Sequence, residues 1–96
     1  MAKKSVYLGF DIGASSGRAV LGVLEGEKLT LKEIKRFSNG PVQLDDTLYW
    51  DFLSLWQAVI KSMEICSKAG YMRLDGIGVD TWGVDFGLIG ANGQLL

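Results

Sequence analysis

The chain is expected to be an α/β domain built on a mixed sheet, and three observations carry that expectation. Three strand-like runs follow one another through short glycine-bearing turns between Val6 and Phe37. One long amphipathic stretch comes next, from Asp51 to Ala69, and after it a second apolar strand, Leu74 to Val79, which ends in Asp80-Thr81. Strands joined by tight turns pair antiparallel, whereas a strand joined through a helix to another returns in parallel. The sheet should therefore start antiparallel and end parallel.

Val6 to Ile12 is rich in β-branched and aromatic residues and apolar on both faces until Asp11, the pattern of a central strand covered on both sides. Gly13 to Gly17 is a turn. Arg18 to Glu25 (RAVLGVLE) is again strand-like, and Gly26-Glu27 is a natural hairpin tip. Leu29 to Phe37 (LTLKEIKRF) sets Leu29, Leu31 and Ile34 against polar neighbours, giving the third strand of a meander. Ser38 to Leu48 carries the only proline together with Asn39, Gly40 and two aspartates, and is predicted to be an irregular connection. The helix places Phe52, Leu55, Trp56, Val59, Ile60, Met63 and Cys66 at i, i+3, i+4 spacing, with Asp51 as N-cap and Gly70 as the stop. Trp56, Met63 and Cys66 are expected in the core, Asp45-Asp46 in a solvated acidic turn, and Tyr49 and Trp50 at the helix entrance. Val84 to Leu96 predicts one more strand, with a hairpin turn at Asn92-Gly93 whose return strand is cut by the chain end. On that ground the chain reads as the front of a longer protein.

Composition narrows the function. With 96 residues the chain is about one small domain, and ten basic against eleven acidic residues leave a net charge of −1. That balance argues against nucleic acid or an anionic membrane as partner. Histidine is absent, which removes imidazole metal sites and histidine-based triads from this stretch. The single cysteine, Cys66, cannot form an internal disulfide and has no basic neighbour to activate it, so a reducing compartment such as the cytoplasm is expected. The N-terminus begins basic and then apolar, as a signal peptide would, but Asp11 interrupts the run, and no run is long enough to span a bilayer.

The stretch GFDIGASSGRAV, Gly9 to Val20, carries the chemistry. A P-loop requires a lysine and then Ser or Thr after the last glycine, followed by a helix; here Gly17 is followed by Arg18-Ala19 and a strand. The dinucleotide fingerprint fails too, in both spacing and context. What remains is a hairpin loop whose glycines let backbone N–H groups converge on an anion, with Ser15 and Ser16 adding hydroxyls and Arg18 a fixed positive charge. Asp11 could hold Mg²⁺ through water. From the loop alone a plain glycine-serine turn in which Asp11 bonds nearby amides is the better reading, since turn residues are common. A second device favours a site: Gly9-Phe10-Asp11 and Gly78-Val79-Asp80 both end an apolar strand in a carboxylate. If these strands are parallel neighbours, both acids emerge at the carboxyl edge of the sheet, where open α/β sheets bind ligands.

These residues resemble a known family. DIGASSGR looks like the first phosphate motif of the FGGY sugar kinases, within the actin, hexokinase and Hsp70 superfamily, and DGIGVDTWGVDFGLI looks like their early sugar-binding segment. The closer likeness is to the rhamnulokinase branch, in KEIKRFSNG (Lys32 to Gly40), in Trp50-Asp51 opening the first helix, and in Val79 to Phe86. The loop from Pro41 to Thr47 and the valine at Val79 depart from that pattern. The resemblance implies a ribonuclease-H-like sheet, with residues 1–96 forming the N-terminal portion of the first kinase domain. It gives Ala14, Ser15, Ser16, Gly17 and Arg18 to the phosphates of ATP, Asp11 to the magnesium side and Gly83 to the sugar. Trp82 and Asp85 are further candidates, for ring stacking and for hydroxyl binding, since an aromatic face and a carboxylate commonly equip a sugar site, while core packing is an equal reading of Trp82. The implied reaction is ATP-dependent phosphorylation of L-rhamnulose at O1, in rhamnose breakdown. Its base would be an aspartate beyond residue 96, so no catalytic residue is expected here and the segment alone should be inactive. Kinases for fuculose, xylulose or ribulose, an ATPase of the superfamily that takes no sugar, and a small binding module remain alternatives.

Overall fold

A computed structural model describes residues 3–96; the Met1-Ala2 start of the basic N-terminus lies outside the described residues. Seven elements follow in order: β1 (Lys4–Ile12), β2 (Ser16–Glu25), β3 (Lys28–Ser38), β4 (Pro41–Leu44), β5 (Thr47–Trp50), α1 (Phe52–Lys68) and β6 (Gly76–Thr81). Four of the strands make one sheet in the order β3-β2-β1-β6, in which β1 is antiparallel to β2 and parallel to β6. This is the mixed sheet expected from the sequence, with the antiparallel meander first and the helix-linked parallel strand after it.

The core lies between one face of the sheet and α1. Leu8, Phe10 and Ile12 from β1, Ala19 and Leu21 from β2 and Cys66 from α1 are buried, with Leu55, Val59 and Met63 packed against them. A bulge between Ala19 and Val20 shifts the β2–β3 register, and Ile34 joins the core, whereas Leu29 and Leu31 are exposed. Ser62 is fully buried, yet its hydroxyl donates to the Ala58 carbonyl at 2.8 Å and so remains satisfied.

Both helix ends carry the expected caps. Asp51 accepts from the Ser54 amide at 3.0 Å, and the C-terminus closes in a Schellman arrangement, Tyr71 N–H to Cys66 carbonyl and Gly70 N–H to Ser67 carbonyl, with Gly70 at φ +100°. Asp75 then locks the start of β6 against β1: its amide donates to the Val6 carbonyl at 2.7 Å, and its carboxylate accepts from the Val6 amide at 2.8 Å.

Four expectations are corrected. The stretch predicted to be irregular from Ser38 to Leu48 forms most of a small hairpin, β4 and β5, turned at Asp45, whose φ of 55° suits an aspartate. The strand expected over Val84 to Leu96 does not form; one isolated bridge, Ile89 with Leu95, flanks the turn at Gly93. The second apolar strand starts at Gly76 rather than Leu74 and includes Asp80 and Thr81. Trp56 is not core: it is 53% exposed, and Phe52 and Ile60 lie with it on the flank of a helix whose packed face runs through Leu55, Val59 and Cys66. Among the described residues no helix is long and apolar enough to cross a membrane.

Candidate functional site

β1 and β2 are joined by a three-residue loop, Gly13-Ala14-Ser15, closed by the Gly13 amide donating to the Ser16 carbonyl at 2.9 Å. Two further bonds come from outside the hairpin. Asn39, just past β3, donates its side-chain Nδ2 to the Gly13 carbonyl at 2.8 Å and its backbone N–H to the Ser15 carbonyl at 3.0 Å. Among the described residues the Ala14 and Ser15 amides and the hydroxyls of Ser15 and Ser16 have no partner in the chain. Those groups are exposed, so the loop offers donors and withdraws its acceptors.

The two glycines serve packing rather than unusual backbone angles, since neither has a left-handed φ. Gly17 is buried, and a Cβ there would overlap the ring of Phe37, its cross-strand partner on β3. A Cβ at Gly13 would come within 3.3 Å of the Ser16 carbonyl. The Gly13 N–H is spent inside the hairpin, so the open amides are those of Ala14 and Ser15.

Asp11 and Arg18 are opposite one another across β1 and β2, and the guanidinium grips one carboxylate oxygen with Nη2 at 3.1 Å and Nε at 3.2 Å. Both side chains are about half exposed, with relative accessibilities of 48% and 53%. Such a pair contributes roughly 0–1 kcal/mol, so a ligand can open it at little cost. On the other side of β1, Asp11 is in register with Asp80 of β6. Neighbouring strands lie about 4.8 Å apart, so Arg18, Asp11 and Asp80 form a row across three strands at the carboxyl ends of β1 and β6. Behind the row, Gly9 and Gly78 are also in register, and with Val20 they floor a shallow depression of about 340 Å³. The absence of two side chains lets a ligand approach the sheet backbone there.

Among the described residues no cluster of three carboxylates, thiols or imidazoles forms. A divalent ion at this edge would thus have one or two carboxylates and would complete its shell with water and phosphate oxygens, the manner in which Mg²⁺ is usually held. The open amides, the serine hydroxyls and Arg18 are the complementary equipment for phosphate. The residues present therefore fit Mg²⁺ and a nucleotide phosphate chain.

The second candidate group lies beyond β6. Trp82 to Asp85 is a tight turn, with the Asp85 amide donating to the Trp82 carbonyl at 3.1 Å. Trp82 meets Trp50, at the end of β5, edge to face with ring centroids 5.9 Å apart and planes at 71°. A Cβ at Gly83 would touch nothing within 4 Å, and the half-buried Asp85 has no side-chain partner among the described residues. Trp50, expected at the helix entrance, thus adds an aromatic wall beside Trp82. The sequence marks Asn39 only as a turn residue; the cue to its bonds is its place directly after a strand that pairs with the loop's own strand.

Comparison with known proteins adds relatives. No family model matches the chain. It is 44% identical over 90 residues to the rhamnulokinase of Lactiplantibacillus plantarum, covering 94% of this chain and 18% of that relative. The rhamnulokinase of Bacteroides thetaiotaomicron is 39% identical over 93 residues, 97% of this chain and 19% of its own, and that of Bacillus subtilis 37% over 91 residues, 95% and 19%. The likeness is to the N-terminal part of rhamnulokinases. It takes in both acid-ended strands, the loop between β1 and β2, the Trp50-Trp82 corner and the capped helix. The chain spans about a fifth of the length of the curated relatives it matches.

Proposed function

We propose that the chain is the phosphate-facing and sugar-facing part of a carbohydrate kinase that uses ATP and Mg²⁺ to phosphorylate L-rhamnulose at O1. The observation that carries the reading is a loop with free donors beside Arg18, set next to two carboxylates in register, in a chain like rhamnulokinases along nearly its whole length. Residues 1–96 then make the N-terminal portion of the first kinase domain, working in the cytoplasm where ATP is available.

The roles follow from charge and reach. Ala14, Ser15, Ser16 and Gly17 offer phosphate oxygens backbone and hydroxyl donors, and Arg18 leaves Asp11 to neutralise the negative charge. Asp11, once released, faces the Mg²⁺ side through water. Gly83 leaves room for the sugar, Trp82 with Trp50 supplies an apolar face, and Asp85 accepts from a hydroxyl. In the transfer the sugar O1 forms a bond to the γ-phosphorus as the bond to the β-phosphate oxygen breaks, and ADP leaves. The hydroxyl proton goes to a carboxylate outside these 96 residues, so neither Asp80 nor Asp85 is assigned as base, and the segment alone is inactive.

The test is a coupled ADP-release assay on the full-length protein with rhamnulose, fuculose, xylulose and ribulose. Turnover greatest with rhamnulose supports the reading. Turnover greatest with another ketose moves the substrate within the same kinase class, and ATP hydrolysis indifferent to every ketose points to an ATPase instead. Phosphorylation of rhamnulose by the isolated segment would overturn the assignment of the base.

A further inference from the structure

The geometry points to Asn39 as a positioning residue that braces two loop peptides so that the open Ala14 amide faces the ligand phosphates, an inference that rests on the kinase reading above. A peptide unit is planar and trans, so its C=O and N–H point in opposite directions. Asn39 holds the Gly13 carbonyl through Nδ2 at 2.8 Å and the Ser15 carbonyl through its backbone N–H at 3.0 Å. Holding the first turns the open Ala14 N–H away from β3, and holding the second fixes the plane of the Ser15-Ser16 peptide at the other end of the loop. The loop has no left-handed residue to lock its shape from within. Its one internal bond, Gly13 N–H to Ser16 carbonyl, fixes neither of those two peptides.

The end of β3 thus grips the loop twice. Phe37 covers Gly17 on the descending strand, and two residues later Asn39 holds the tip. Asn39 is outside the buried core, and its side chain has one hydrogen bond among the described residues, that to Gly13. Its contribution is therefore to the direction of the loop donors rather than to the packing of the sheet. Preorganised donors favour an anion because no reorganisation is needed when it arrives.

The experiment uses the full-length protein and a nonhydrolysable ATP analogue, with the affinity measured by titration calorimetry and KM measured for ATP and for rhamnulose. Losing one hydrogen bond to a held carbonyl should weaken the analogue about threefold to tenfold in Asn39→Ala, with the sugar KM and the unfolding midpoint nearly unchanged. Asn39→Asp has the same shape but no side-chain donor, so it tests the bond without a cavity and should lose at least as much. Asn39→Ser keeps a short donor and should recover part of the affinity. The proposal is overturned if Asn39→Asp binds the analogue as the parent does, or if both KM values and the midpoint move together. An Arg18→Gln variant separates the two levels: weakened binding there with normal binding in the Asn39 variants removes only the brace. Normal binding in all of them removes the phosphate loop and the brace together.

Discussion

β2 is entered and left by short loops that are opposite in construction. At its far end Gly26-Glu27 joins Glu25 to Lys28, and Gly26 sits at φ 62°, so the turn is made by the conformation of one glycine. At its near end Ala14-Ser15 has no left-handed residue and is held by Asn39 and Phe37 from β3. At the Gly26-Glu27 tip the Gly26 amide is taken up by the Lys3 carbonyl at 3.4 Å. A turn closed by its neighbour can direct its own amides outward, and only the second lies at the carboxyl edge beside Asp11 and Asp80.

Substitutions at the two ends should differ in kind. The largest effect is expected for Gly17→Val, where the new side chain must displace the Phe37 ring; overpacking of this sort costs about 1–3 kcal/mol, read by urea denaturation, and should also weaken nucleotide binding. Gly26→Ala should cost about 1 kcal/mol through its positive φ and leave binding of an ATP analogue unchanged. Equal losses of binding at both ends would erase the distinction.

Arg18→Gln should weaken the analogue roughly tenfold, since a charge-assisted bond to phosphate is lost, while stability changes by less than about 1 kcal/mol because the pair with Asp11 is exposed. Lys28→Gln at the opposite tip should change neither quantity. A stability loss at Arg18 larger than the binding loss would make the ion pair structural.

The smallest effect concerns the core beneath both loops. Burial pushes the Cys66 thiol up from its ordinary value of 9.0. The folded chain then keeps a proton that the unfolded chain loses, so this contribution is complete below about pH 9 and declines as the pH rises past it. Cys66→Ala should flatten the decline in unfolding free energy measured between neutral and strongly alkaline pH.

The sheet order was legible because its signals are strong: two glycine-bearing hairpins, one capped helix, and a repeated glycine-x-aspartate ending on two apolar strands. From that repeat alone the register of Asp11 with Asp80 could be anticipated. The β4–β5 hairpin was hidden by its own punctuation. Pro41 reads as a breaker, yet proline is tolerated at the first residue of an edge strand, and Asp45 adopts the left-handed angle that lets Leu44 turn back to Thr47. The strand expected after Val84 has the right residues but pairs only at Ile89 and Leu95, and periodicity cannot report a missing neighbour. Trp56 misled because the apolar stripe of α1 is wider than the face the sheet covers. The bond from Asn39 is hard to find in the sequence for a different reason: it spans 26 residues, and the place of Asn39 after β3 is the one cue to it.

The Trp50-Trp82 contact has a practical side. It ties the small β4–β5 hairpin to the segment that leaves β6, so two elements in different sheets share one aromatic junction. Indoles 5.9 Å apart couple optically, and the coupling depends steeply on their mutual angle. Near-ultraviolet circular dichroism of the protein, with and without sugar, would therefore register any shift of the hairpin against that segment as a change of signal, with no label attached.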